Sequence, residues 1–107
     1  MGAFNTLQAI VICPVCEQMG GFAIQFKYGD TWQYEYHLGD EIRWGGNDIG
    51  AKWPSRVRIE GIAEVCPNCH TQWIEMDIIS ERNTVCEVIP IGLSRATESP
   101  LGFEYLE

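Results

Sequence analysis

Cys13-Pro14-Val15-Cys16 and Cys66-Pro67-Asn68-Cys69 each place two thiols two residues apart. Both sulfurs of such a turn can point at one atom, and two turns facing each other supply the four soft ligands of a tetrahedral zinc site. Residues 17–65 separate the turns, so the fold between them must bring its two ends together. Closing a flexible loop of that length costs roughly 3–4 kcal/mol plus a constant. Structural zinc in small peptides contributes on the order of 10–16 kcal/mol at neutral pH, so the metal wins. A site closed by four cysteines has no open position for a substrate or an activated water, and it therefore concerns structure before catalysis.

The chain has 107 residues, enough for one domain with a modest core, where a metal is a common supplement to apolar burial. Five cysteines is an odd count, and four fall in the two pairs, which favours metal ligation in a reducing cytoplasm over a disulfide framework. Ala9-Ile10-Val11-Ile12 is too short an apolar run for a membrane span, and no membrane association is expected. Lys and Arg number 7 against 15 Asp and Glu, a net charge of −8. Four thiolates on one divalent zinc would take it to about −10. A surface this acidic repels nucleic-acid phosphate.

Along the chain the dominant period is two. Gln8 to Ile12 reads as a strand leading into the first turn, and Gly20-Gly21 is placed to supply the positive φ such a loop needs. Phe22, Ile24, Phe26 and Tyr28 share one face, and after Gly29-Asp30 so do Trp32, Tyr34, Tyr36 and Leu38, which suggests a hairpin with an aromatic face. Ile42 and Trp44 continue that face before the glycine-rich loop 45–50. Val57 and Ile59 open a new strand in which Gly61 shifts the phase, the mark of a bulge. Ile74, Met76 and Ile78 alternate in the strand after the second turn, and Thr84 to Ile91 returns as the last one. No helix of three turns can be written. The expected class is mostly β: a small antiparallel domain over residues 1–92, with an aromatic β-hairpin between two cysteine knuckles and a loosely held tail over 93–107.

The two turns resemble the zinc knuckles of zinc-ribbon and rubredoxin-like proteins, whose usual form is Cys-Pro-x-Cys-Gly at the tip of a β-hairpin. The resemblance covers Cys13 to Cys16, Cys66 to Cys69 and the flanking strands, and it implies one structural zinc on Cys13, Cys16, Cys66 and Cys69. Glu17 and His70 stand where that family usually has glycine, and the separation of the turns exceeds that of a minimal ribbon.

His70 is read as a turn residue and not a ligand, His37 as a solvated side chain, and Cys86 as a small apolar core residue. Asp40, Glu41 and Asp48 flank the glycine-rich loop without a spacing that fixes acid–base or cation chemistry. No residue is named as catalytic. Arg43, Lys52, Arg56 and Arg58 hold four of the seven basic residues, with Trp44 and Trp53 among them. Three readings fit: tryptophans in the core with arginines lying over them, a protein-binding surface, or a platform for single-stranded nucleic acid. The functional expectation is a non-catalytic, cytoplasmic, zinc-stapled module that binds another protein with a basic surface, regulating or neutralising it. The alternatives are a single-stranded nucleic-acid binder using the 43–58 patch and a metal-handling or thiol redox protein.

Overall fold

A computed structural model describes residues 4–95 and 98–106. The described residues form strands and loops without a helix, so no helix is long and apolar enough to cross a membrane. Alternating apolar residues set the two longest pairings. β1 (Asn5–Ile12) and β2 (Met19–Phe26) form one antiparallel hairpin, and β6 (Arg56–Val65) and β7 (Gln72–Glu81) form another. Their inward positions, Leu7, Phe22, Ile24, Ile59, Ala63, Ile74, Met76 and Ile78, are essentially solvent-free and make the core.

β2 lies antiparallel to β6, with Ile24 opposite Ala63 and Phe26 opposite Gly61. β8 (Thr84–Gly92) extends the sheet beyond β7, and β4 (Glu35–His37) adds a parallel edge beside β1. The order is therefore β4-β1-β2-β6-β7-β8, with β3 (Gly29–Asp30) and β5 (Asp48–Ile49) forming a separate small pair. The sheet curls until its ends meet through residues 39–42. Gly39 donates to the Val85 carbonyl at 2.7 Å, Val85 to that of Asp40 and Ile42 to that of Asn83, both at 2.9 Å.

Three local expectations are corrected. Phe22–Tyr28 does not pair with Trp32–Leu38, because β2 takes β1 and β6 as its neighbours. The six-residue knuckle makes the β1–β2 pairing the more local one, and Gln33 at φ 59° breaks the second segment before it can run as a strand. Trp32 and Leu38 are exposed, while Phe26 and Tyr36 still meet in the core with ring centroids 5.7 Å apart. Gly61 marks no bulge, since β6 and β7 keep one register on both sides of it. A Cβ there would lie 2.7 Å from Ile24 Cγ2, so glycine allows the close approach of β2. Cys86 is exposed, not in the core, because the β7–β8 register slips between Ile79 and Ser80 and hands the inward place to Val85.

The C-terminal residues expected as a tail include β9 (Phe103–Tyr105), which pairs with β6 at Val57 to Ile59. Phe103 is buried against Tyr28, with ring centroids 5.2 Å apart. The Arg95 side chain is nearly solvent-free and bridges Glu75 at 2.9 Å and Asp77 at 2.6 Å on β7.

Candidate metal centre

Each cysteine pair sits in a six-residue tip, 13–18 between Ile12 and Met19 and 66–71 between Val65 and Gln72. Because β2 and β6 are adjacent and antiparallel, both tips come to the same end of the sheet. The contact is close. Asn68 Nδ2 donates to the Met19 carbonyl at 3.1 Å, and a Cβ on Gly20 would lie 2.8 Å from Pro67 Cγ.

The backbone repeats from tip to tip. Cys13 N donates to the Gln18 carbonyl and Glu17 N to that of Cys13, both at 2.9 Å; Cys66 N donates to the Thr71 carbonyl at 2.9 Å and His70 N to that of Cys66 at 3.0 Å. Glu17 and His70 lie at φ 62° and 60°. Those are the two positions where the resembled family uses glycine, so here L-residues accept the left-handed conformation, while Gly20 and Gly21 stay within β2. The amides of Val15 and Asn68 point at Cys13 Sγ and Cys66 Sγ, each at 3.4 Å, as donors to thiolate.

Cys13, Cys16, Cys66 and Cys69 place their sulfurs within 4.8 Å of one another, forming a cluster that could hold a metal ion. Cys13 Sγ lies 3.9 Å from Cys69 Sγ, and Cys16 Sγ lies 3.8 Å from Cys66 Sγ. A tetrahedron with metal–sulfur bonds of about 2.3 Å has edges of about 3.8 Å, so four thiols with two separations of that length suit a tetrahedral metal ion in kind and number. Gln18's amide pulls the Cys16 thiol down, but burial and the three neighbouring sulfurs outweigh it and push the group up to about 11. The Thr71 hydroxyl, 3.2 Å away, and its amide pull Cys69 down to about 6. Four sulfurs this close cannot all ionise without a cation among them.

His70 is exposed at the tip and outside the sulfur cluster. Cys86 donates to the Ile79 carbonyl at 3.2 Å, and partial burial with Glu81 and Glu87 raises its thiol. The acids around the glycine-rich loop serve the backbone: Asp40 accepts from His37 N at 2.8 Å and Asp48 from Gly45 N at 2.7 Å.

The six basic and tryptophan residues do not form one platform. Arg58 bonds Glu60, Asp77 and Glu104, and Arg56 faces Glu81 at 3.2 Å. Trp44 packs edge-on against Tyr28 and donates to Asn83 Oδ1 at 2.7 Å. Arg43, Lys52 and Trp53 remain exposed, Arg43 over the Tyr34 ring and Trp53 against Tyr105. A groove of about 380 Å³ over the central strands is lined by Lys27, Ile62, Arg95 and Leu101 among others, and two of its carboxylates, the half-buried Glu60 and Glu75, already bond Arg58 and Arg95.

Sequence reasoning missed Asn5 and Asp30, which fix the crossing between the knuckles. Asn5 is solvent-free, donating to the carbonyls of Tyr28 and Asp30 and accepting from Tyr34 N. Asp30 accepts from Asn47 N and the Tyr34 hydroxyl. No spacing announces either, since their partners lie in other segments. It also missed that Ile10, Ile12 and Met19 are exposed, a property the alternation against Ala9, Val11 and Cys13 could have revealed.

The fold and the site together define an all-β domain whose two hairpin tips bring four cysteines into one potential metal centre. Comparison with protein-family models, with curated proteins and with solved structures gives no match.

Proposed function

We propose that the protein is a non-catalytic zinc-binding domain that recognises another protein through charge and apolar contact. The observation that carries the metal is the pair of sulfur–sulfur distances, 3.8 and 3.9 Å, with all four donors being cysteines. Zinc is the redox-inert ion that such a set closes completely, leaving its role structural. Binding is supported by the net charge of −8, which favours a partner with a basic surface.

Elemental analysis of protein purified without added zinc is expected to give one zinc per chain. Cysteine labelling should spare the four ligands until a chelator is added. No metal with four free thiols would sink the reading, and rapid labelling of metal-loaded protein would favour the thiol redox alternative. A basic protein partner should be held at low salt and released as salt rises. The nucleic-acid reading keeps Trp53 on Tyr105 beside exposed Lys52 as its support, but Arg56 and Arg58 already face carboxylates. Single-stranded RNA binding abolished by Trp53→Ala would promote it.

A further inference from the structure

We infer that the outer face of the knuckle end, formed by Ile10, Ile12, Met19 and Trp73, docks a protein segment that sets aliphatic side chains beside lysine or arginine. This deepens the proposed function by naming the face and the chemistry of its partner, and it rests on that reading. Ile10 and Ile12 occupy alternate positions of β1, and Met19 is Ile12's cross-strand partner on β2, so the three share one side of the sheet. They are 70%, 53% and 64% exposed. Trp73, two strands beyond β2, alternates with buried Ile74 and is 56% exposed. Between them Gly21, opposite Ile10, leaves open space where a side chain would stand.

Trp73 carries a second signal. Its φ is 60°, in the left-handed region that strains a bulky L-residue. An exposed, strained tryptophan at the knuckle end gains nothing for the core, whereas exposed tryptophan is a characteristic anchor of protein interfaces.

Charge selects the occupant. None of the seven lysines and arginines falls within residues 4–26 or 59–81, the segments that build this end, whereas Glu17 and Glu64 do, and Arg95, which reaches β7 from outside them, is engaged by Glu75 and Asp77. A divalent ion on four thiolates adds about two further negative charges. A second copy of the chain would bring like charge onto like charge, and phosphate or an anionic membrane would be repelled in the same way. A segment with aliphatic residues flanked by basic ones meets both properties of the face.

The test uses the metal-loaded full chain and a short fluorescein-labelled peptide of alternating leucine and lysine, read by anisotropy at low salt, with leucine–glutamate and serine–lysine versions as controls. Only the leucine–lysine peptide is expected to bind well. Ile12→Ser with Met19→Ser, and separately Trp73→Gly, should each weaken it at least about tenfold. Leu38→Ser, which removes an exposed apolar side chain outside this face, should leave binding within about twofold. Trp73→Gly keeps the backbone conformation without its strain, so loss of binding without a lower melting temperature separates docking from folding. Leucine–lysine binding that survives both variants would overturn the inference, and sensitivity to Trp53→Ala would then place the partner elsewhere while the function stands. No binding to any basic probe or basic protein would overturn both. Self-association lost on Ile12→Ser with Met19→Ser would give the face to a second copy and overturn the occupant inferred.

Discussion

At the knuckle end, β1–β2 and β6–β7 are regular hairpins whose tips meet sulfur to sulfur. In the crossing over residues 27–55, strand structure is limited to Gly29–Asp30, Glu35–His37 and Asp48–Ile49. The first region is held by ladders that the alternation repeats every second residue. The second is held by side chains that capture backbone from a distance: Asn5 on three groups, the Tyr28 hydroxyl on the Ala51 carbonyl at 2.7 Å, the Tyr36 hydroxyl accepting from Arg43 N at 3.0 Å, and Asn83 bonding both Trp44 and the Ile42 carbonyl. Irregular backbone can be packed against a core only when its polar groups find such partners.

The largest effect is expected from Cys66→Ser. It removes one of four candidate ligands from a site where a structural zinc would contribute on the order of 10 kcal/mol, comparable with the whole stability of an ordinary domain. Loss of bound metal together with the cooperative thermal transition would show that the hairpins depend on the staple; a cooperative, metal-free fold would show that the ladders suffice. Asn5→Ala comes next. It strands two carbonyls and one amide in the core and should cost about 3 kcal/mol. Hydrogen exchange should quicken at residues 28–34 first, with the metal retained, and release of metal at the same step would mean that the two regions are one unit.

Tyr28→Phe probes the crossing through pH. Burial, with the nearby Tyr105, pushes the Tyr28 hydroxyl from 10.0 up to about 12. The folded state therefore favours the neutral phenol, and this stabilisation is complete below pH 10.0 and lost as pH rises through about 12. Removing the hydroxyl should cost about 1 kcal/mol at neutral pH, for the bond to Ala51, and flatten the alkaline decline in a urea series. The smallest effect is a gain. His70→Gly relieves a left-handed residue and should stabilise the knuckle by about 0.5 kcal/mol, the strain relief exceeding the added chain entropy, as a small rise in melting temperature.

The two cysteine pairs and the alternation of Phe22–Phe26, Val57–Ile59 and Ile74–Ile78 could be read because their signals are local: a fixed spacing for the cysteines and a period of two for the core. The pairing of β2 with β1, and the fate of the Arg56 and Arg58 charges, could not. Which strand lies next to which depends on competition among closures, and an arginine's charge is free or engaged according to carboxylates such as Asp77 and Glu104 that arrive from other segments.

The sequence by itself determined an all-β chain and the four cysteines that could hold a metal, since alternation and ligand spacing are properties of neighbouring residues. Only the tertiary structure decided that Asn5 and Asp30 organise the crossing, that the basic residues between 43 and 58 are dispersed, and that Ile10, Ile12, Met19 and Trp73 face outward at one end. Those outcomes depend on contacts between distant segments, which exist only once the sheet has curled and brought its strands into register.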